Sequence, residues 1–337
     1  IYTLSLHDAL PIYGVTGVLV EEGTTNLVRN SKGVGGSGST PPQRWSIQDD
    51  PGAFSHNFAA DPIFPDHVAD TITINNTSGS AKSGRLYVEN NIAVSQGQVV
   101  TVSIYAELLS GTPVQLGIGF HKINSSGGYV GESSFAFTPT ATRQRFSYTY
   151  TVESGVAFVR PRLIYYNIPN GANFVVRVVA PQVEVKPYPT SYMVSTNSGI
   201  VTRAAETLTV PTAGVLYPQE GTIEVWVYVD DRIRRSNTFQ TLFSTKGTGN
   251  FNQPKHLWLC HNGYNNWWSF FIYDDSGNTS GEIWTADDLA IGWHLLTCRW
   301  SPAEASLWID GVKKVYKTSP LLPTSFDATA YIGSRAA

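Results

Sequence analysis

The stretch VVTVSIYAEL (Val99–Leu108) alternates between apolar and more polar side chains from one residue to the next. That period of two is typical of a β-strand with one buried face. Helical spacing of apolar residues is hard to find in any window of useful length. Further strands with the same pattern are Val114–Phe120, Gln144–Val152, Phe158–Tyr165 and Phe174–Val185. The sequence therefore predicts an all-β fold.

A second series of short strands follows closer to the C-terminus, separated by Gly, Pro, Asn and Ser clusters. Many short strands with regular turn signals predict antiparallel β-sandwiches or jelly rolls, and two series predict two in tandem. Between them, residues 188–206 combine prolines with small polar residues, which favours an exposed linker. We expect one sandwich over residues 24–187 and another over 207–337. The second series is Thr222–Val229, Gln240–Ser244, His256–Cys260, Trp268–Tyr273, His294–Trp300, Ala305–Ile309 and Ala330–Ile332.

Composition excludes several classes of protein. The 337 residues are 42% apolar and only 15% charged, against a usual charged share of about 25%. Disordered chains and coiled coils have the opposite bias. The formal net charge of −3 gives no large positive field for nucleic acid or anionic lipid. The sequence contains no apolar run of about 18 residues, which is the length that would predict a membrane span.

The first residues need a separate interpretation. Residues 2–12 read YTLSLHDALPI, which is identical to one reading frame of a widely used sequencing-adapter oligonucleotide. We interpret residues 1–12 as adapter-derived and exclude them from functional reasoning, as one would a fusion scar. We then expect the native N-terminus and any signal peptide to be missing. Residues 13–23 form an opening segment before the first sandwich.

The aromatic residues are the best functional lead. Eight of the nine Trp residues lie at Trp226 or later. The C–H faces of sugars stack on indole and phenol rings, and amides at the rim bind the hydroxyl groups. The segment HNGYNNWW (His261–Trp268) supplies both kinds of group. We predict glycan contacts from Tyr264, Asn265, Asn266, Trp267, Trp284 and Trp308, and in the first sandwich from Trp45 and Tyr129.

Three stretches that flank the first sandwich carry a resemblance. VEEGTTNLVRNS (Val20–Ser31) resembles the motif that precedes β-sandwich modules in many phage and prophage tail or fibre proteins. PQVEVKPYPTSY (Pro181–Tyr192) and VTRAAETLTVP (Val201–Pro211) resemble the end of the same modules. The strands between them are similar in pattern to a carbohydrate-binding-module type of jelly roll.

The second sandwich resembles a concanavalin A-like, laminin-G-type lectin domain. The similar segments are GTIEVWVYV (Gly221–Val229), GWHLLTCRW (Gly292–Trp300), SLWIDGV (Ser306–Val312) and YIGS (Tyr331–Ser334). Such domains continue with a further strand after the Ile-Gly pair, so we expect this one to be C-terminally truncated. The resemblance also leaves a loop-rim Ca²⁺ site open, with Asp274, Asp275, Asp287 and Asp288 as its carboxylates. We otherwise predict no metal and no cofactor.

The sequence lacks the two catalytic patterns that are typical of glucanases and of serine hydrolases. Concanavalin A-like glucanases place paired carboxylates on one strand face, but Thr222 stands between Glu220 and Glu224 where those enzymes have Asp. No Gly-x-Ser-x-Gly elbow occurs. We predict that the chain is not an enzyme. Cys260 and Cys298 are predicted to be two buried thiols, with a cross-strand disulfide as the alternative.

The resemblances imply a phage or prophage virion protein of tail or fibre that attaches to bacterial surface glycans. Its location would be the virion or the extracellular space, and fibres of this class are often homotrimers. Two alternatives stay open. The sandwiches are accessory carbohydrate-binding modules of a secreted glycoside hydrolase whose catalytic domain is missing, or they only decorate a virion fibre.

Overall fold

A computed structural model describes residues 11–12, 15–16, 23–206, 208–229, 233, 238–247 and 252–333. The prediction of an all-β chain of antiparallel sandwiches is confirmed. The adapter-derived and opening segments lie almost entirely outside the described residues. Within them, β1 (Pro11–Ile12) pairs antiparallel with β2 (Val15–Thr16).

The first sandwich lies within a compact unit, Gly23–Ala204. Its two main sheets contain eleven strands. Ten of them lie side by side in two continuous series of five, and the eleventh, β8, pairs with β13 only. The β9 sheet has the order β12-β9-β14-β6-β5, and the β10 sheet has the order β11-β10-β13-β7-β4. The strands are β4 (Ser46–Asp49), β5 (Phe54–Ala60), β6 (Val68–Asn75), β7 (Lys82–Tyr87), β8 (Ile92–Ala93), β9 (Val99–Gly111), β10 (Leu116–Ile123), β11 (Tyr129–Phe137), β12 (Gln144–Thr151), β13 (Phe158–Ile168) and β14 (Asn173–Glu184).

Alternation along the strands builds the core between these sheets. On β9, Val100, Val102 and Ile104 are buried in one hydrophobic cluster with Ile118 and Phe120 of β10. Fully burying a side chain of this size stabilises the fold by about 1.5–3 kcal/mol. The face of each sheet turned away from this core is called its outer face below.

The segment predicted as an exposed linker, residues 188–206, is part of the first compact unit as far as Ala204. Thr190, Met193 and Ser195 are buried, and β15 (Val201–Arg203) pairs with β3 (Thr24–Asn26). Outside the β15–β3 pairing, polar side chains of the first unit form hydrogen bonds with the backbone of this segment. The hydroxyl of Ser31 accepts the Ser195 N–H at 2.9 Å, and the Glu184 carboxylate accepts the Thr190 N–H at 2.9 Å.

The second sandwich follows residue 204. The β19 sheet has the order β16-β25-β18-β19-β20-β21, and the β22 sheet has the order β17-β22-β23-β24. Its strands are β16 (Leu208–Pro211), β17 (Gly221–Val229), β18 (Phe239–Ser244), β19 (Leu257–Asn262), β20 (Trp267–Ile272), β21 (Ile283–Thr285), β22 (Gly292–Trp300), β23 (Glu304–Ile309), β24 (Val312–Thr318) and β25 (Thr329–Ile332).

The two cysteines lie in different hydrophobic clusters. Cys298 packs in the core between the two sheets, whereas Cys260 belongs to a cluster with Trp258 and Phe271 on the outer face of the β19 sheet. No disulfide joins them. The prediction of two buried thiols is therefore confirmed. Burial raises the pKa of the Cys298 thiol well above its usual value.

A buried histidine connects the two sheets of the first sandwich. Nδ1 of His56 on β5 lies 2.6 Å from Asp70 of β6, and its Nε2 lies 2.8 Å from Asp49 of β4, in the opposite sheet. The Tyr165 hydroxyl of β13 donates to Asp49 at 2.7 Å. Burial disfavours the charged imidazole, but the hydrogen bonds and charges of Asp49 and Asp70 outweigh it and raise the pKa of His56 to about 9.

This cluster predicts a pH-dependent first sandwich. Because the folded pKa exceeds the ordinary value of 6.5, protonated His56 stabilises the fold fully below pH 6.5, and the stabilisation is lost as the pH rises through about 9. We expect the free energy of unfolding to fall by about 3 kcal/mol across this range. Hydrogen exchange of the β5 and β6 amides in the full chain measures it.

Two variants distinguish this cause from general alkaline destabilisation. His56→Gln removes the titrating group and should flatten the fall. His67→Gln removes another buried histidine of the same sandwich, whose ring nitrogens lie within hydrogen-bond distance of the Pro65 carbonyl and the Tyr192 hydroxyl rather than of a carboxylate. It should keep the fall, and an equal fall in His56→Gln would contradict the assignment.

Candidate functional site

The segment predicted to bind glycans forms the turn between β19 and β20. The Asn262 side chain accepts the Tyr264 N–H at 3.2 Å, and the Asn262 carbonyl accepts the Asn265 N–H at 3.3 Å. Asn266 has a φ of 56°, a left-handed conformation that Asn tolerates better than most residues. The amide-rich sequence therefore closes the hairpin and projects Tyr264 from its tip.

Three of the predicted rings lie at this end of the β19 sheet. Trp267 pairs with Asn262, and Trp284 pairs with Ser269 two residues further along β20, so both indoles share the outer face. Their rings stack with centroids 3.8 Å apart and planes 12° apart. Trp284 is 39% exposed and Tyr264 is 67% exposed. This exposed end, formed by Tyr264, Trp267 and Trp284, is called the indole platform below.

The predicted amides are only partly available. Asn266 Oδ1 lies 3.0 Å from Nε2 of His261, and burial lowers the pKa of His261 although this hydrogen bond opposes the shift. Asn262 is buried and holds the turn. Asn265 is exposed in the turn between β19 and β20. Of the amides in this segment, Asn265 is the one placed to reach a ligand.

The middle of the same outer face is closed. Trp258, Phe271 and Tyr273 are all buried, and Trp258 stacks on Phe271 with centroids 5.1 Å apart. The Trp258 indole also donates to the Thr241 hydroxyl at 3.0 Å. The aromatic alternation of β20 thus produces a second packed cluster, and only its end offers open rings.

Trp308 lies apart from the indole platform. Its strand, β23, belongs to the β22 sheet, and it points to that sheet's outer face, opposite the core residues Leu307 and Ile309. The Lys313 ammonium lies 5.6 Å from its ring centroid, so a cation already occupies one ring face. Trp226, which the sequence analysis did not select, is 63% exposed on the edge strand β17 of the same sheet.

In the first sandwich, the two predicted residues have opposite environments. Trp45 is 5% exposed, packs against Phe58 in the core and donates its indole N–H to the Asn30 carbonyl. It is not a stacking surface, and its selection was wrong. Tyr129 is 60% exposed and lies with its ring centroid 4.8 Å from that of His121.

The outer face of the β10 sheet carries a charged and aromatic cluster that sequence reasoning missed. The Arg85 guanidinium donates to the Tyr166 hydroxyl at 2.6 Å, and this hydroxyl donates to Glu132 at 2.9 Å. Arg162 forms an ion pair with Glu132 at 2.6 Å. The signal was the strand FVRPRLIYY, in which Arg160 and Arg162 alternate with buried residues.

Electrostatics on this face reflect the excess of arginine. Burial raises the pKa of Glu132, but the Tyr166 hydrogen bond and the charge of Arg162 outweigh it and leave the pKa below its usual value. Burial lowers the pKa of His121, and the charges of Arg162 and Arg160 lower it further. Glu132 is therefore ionised and His121 neutral near pH 7.

The opposite face of the same sandwich is covered by its own chain. On the outer face of the β9 sheet, Phe64 packs edge-to-face on Tyr105 and Tyr192, with centroids 5.0 and 5.8 Å apart. Arg143 stands over Phe64 and pairs with Asp61 and Glu107. The outer face of the β10 sheet is more accessible, with Tyr129 exposed at one end, although Tyr87 and Arg162 at its centre are buried.

The loop carboxylates considered for Ca²⁺ have other partners. Asp274 accepts the Ser276 and Asn278 N–H groups, Asp275 accepts the Thr324 N–H, and Asp287 pairs with Lys314. Among the residues with described positions, no group of three or more His, Cys, Asp or Glu side chains could hold a metal ion. In that same part of the chain, no helix has the length and hydrophobicity of a membrane span.

Comparisons with known proteins give partial likenesses. No protein-family model matches the sequence, and neither does any curated protein. Similar solved structures include the enzymatically active domain of bacteriophage CBA120 tailspike protein 4, with 13% identity over 46% of this chain and 21% of that one, at a TM-score of 0.34. This chain thus spans about a fifth of the tailspike's length.

Two carbohydrate-binding modules are similar over almost their whole length. The CBM22-1 xylan-binding domain of Paenibacillus barcinonensis Xyn10C has 16% identity over 49% of this chain and 94% of its own, at a TM-score of 0.31. The family 11 module of Clostridium thermocellum, in complex with a mixed-linked tetrasaccharide, has 11% identity over 48% of this chain and 95% of its own, at a TM-score of 0.33.

The two kinds of tryptophan in the second sandwich should differ in their effect on stability. Trp258→Ala removes a buried indole and its hydrogen bond, so we expect the free energy of unfolding to fall by about 3–5 kcal/mol. Trp226→Ala removes a mostly exposed ring and should change it by no more than about 0.5 kcal/mol. Urea unfolding measures both values, and similar losses would contradict the assignment of a closed centre.

Proposed function

We propose that this chain binds glycans without reacting with them, through the indole platform of the second sandwich. The observation that carries the proposal is the stacked Trp267–Trp284 pair, which lies next to the turn that exposes Tyr264. Stacking the two indoles on each other fixes their rings in one orientation. A sugar that packs on the remaining ring surface then has little side-chain motion left to restrict.

The polar surroundings of the platform suit a neutral ligand. Asn265 is exposed in the adjoining turn, and an amide both donates and accepts hydrogen bonds, as a sugar hydroxyl does. His261 packs against Trp268 in the layer beneath and holds Asn266. The platform thus combines apolar surface with a small number of placed polar groups, the usual composition of a binding site.

The biological setting we propose is a phage or prophage tail or fibre protein that attaches to polysaccharides of the bacterial surface. It rests on the resemblance of Val20–Ser31 and Pro181–Tyr192 to segments of such proteins. The location would be the virion or the extracellular space. A fibre that carries several copies, as trimers do, would convert weak single-site binding into high avidity.

Binding to an array of bacterial surface polysaccharides tests the platform. Trp284→Ala and Tyr264→Ala each remove one exposed ring, and we expect each to weaken binding of the recognised glycan about tenfold. Trp226→Ala serves as the matched control because it removes a comparably exposed ring from the other sheet.

Three outcomes would count against the proposal. An array without any binding would contradict the glycan function itself. Unchanged binding by both platform variants would contradict the site. Equal losses in the platform variants and in Trp226→Ala would show that ring removal acts through the fold.

A further inference from the structure

We propose that the outer face of the β10 sheet is a second binding site, separate from the indole platform, which takes a saccharide bearing carboxylate groups. Phe64 and Tyr192 cover the outer face of the β9 sheet, whereas this face keeps half-buried and exposed side chains around a buried centre of Tyr87, Arg162 and Ile164. Its side chains come from four adjacent strands, β11, β10, β13 and β7.

The cluster has more positive than negative charge. Three guanidinium groups, Arg85, Arg160 and Arg162, lie on the face with a single carboxylate, Glu132. Glu132 is already paired with Arg162. In the described part of the chain, no carboxylate lies within ion-pair distance of Arg85 or Arg160, whose Nε atoms bond only to the Tyr166 hydroxyl and the Asn91 amide oxygen. These two charges are available to an anion.

The spacing of the two arginines fits an extended ligand. Arg85 pairs with Ile164, four residues along β13 from Arg160, which corresponds to about 13 Å at 3.3 Å per residue. An oligosaccharide of a few residues with repeated carboxylates spans such a distance. A planar guanidinium binds a carboxylate through two parallel hydrogen bonds.

Aromatic rings and glycines give this face the character of a saccharide site. Tyr129 and His121 are in contact at one end, and Tyr166 lies under the Arg85 guanidinium at the other. Between them, Gly117 and Gly119 of β10 add no side chain to the outer face. At Gly119 a Cβ would lie 2.1 Å from the Ser133 carbonyl, so the position cannot carry one. Sugar rings can thus pack beside the charges.

The arrangement favours a saccharide over nucleic acid. Two arginines without a carboxylate partner on a chain of net charge −3 give little of the phosphate attraction that nucleic-acid binding requires. Arg162 itself is fully buried between Tyr87 and Tyr166. It holds the two tyrosines and Glu132 in place, while the more exposed Arg85 and Arg160 face the ligand.

The probe is polygalacturonate, and its fully methyl-esterified form is the uncharged control with the same backbone. With the full chain, titration calorimetry should show binding of the acidic polymer that weakens at high salt, and no binding of the ester. Arg85→Gln and Arg160→Gln should each weaken the binding roughly tenfold, as expected for one charged hydrogen-bonding partner. Arg177→Gln, on the outer face of the opposite sheet, should leave it unchanged.

Further arms separate this site from the indole platform and from a general attraction of anions. Trp284→Ala should bind polygalacturonate normally, so a failure of the indole platform leaves this proposal intact. Dextran sulfate bound in place of polygalacturonate would overturn the assignment of carboxylate as the anion. Equal binding of the acid and the ester, or equal losses in Arg85→Gln and Arg177→Gln, would overturn the site.

Discussion

A β-strand has two faces, and a sandwich core buries only one of them. The rest of this structure depends on what happens at the other face. In the first sandwich, the β9 sheet covers its outer face with Phe64 and Tyr192 from its own chain. The β19 sheet buries the centre of its outer face under its own aromatic cluster. Among the described residues, the two candidate sites lie on parts of the outer faces that stay exposed: one end of the β19 sheet, and the surface around the buried Arg162 on the β10 sheet.

Polar contacts between elements hold the strands of the first sandwich in place. His56 joins β5 and β6 to β4 of the opposite sheet through Asp70 and Asp49. Ser31 and Ser195 connect the start of the first unit to its end. Buried polar groups are stable only when their partners are in place. Such contacts therefore fix the relative position of strands whose outer side chains must meet a ligand, which loops alone do less precisely.

Strand alternation allowed much of the fold to be predicted. Every strand named from the sequence exists to within a few residues, from β9 (Val99–Gly111) to β25 (Thr329–Ile332). Among the strands that were missed, β5, β7 and β11 do not alternate regularly in FSHNFAA, KSGRLY and YVGESSFAF, whereas β6 (VADTITIN) alternates and was overlooked. The segment after Pro187 was misread because its polar residues act inward, as partners of buried backbone, and composition does not distinguish such residues from solvated ones.

The candidate sites were harder to predict because exposure depends on tertiary structure. Trp45 and Trp284 are equally aromatic in sequence, yet one lies in a core and the other at a sheet end. The β10-sheet cluster was missed because its members lie on β7, β10, β11 and β13 and meet only through strand order. A period-two pattern shows which residues share a face of one strand, but it does not identify the strands that lie beside it.

The two open surfaces differ in the physics of attraction. The indole platform offers ring surface and one amide, so its affinity would come from short-range contact and change little with salt. On the β10 sheet, Arg85 and Arg160 act over about a Debye length and lose strength as salt rises. Both surfaces belong to one polypeptide. The salt dependence of binding would therefore distinguish which of the two proposed surfaces a given polymer uses.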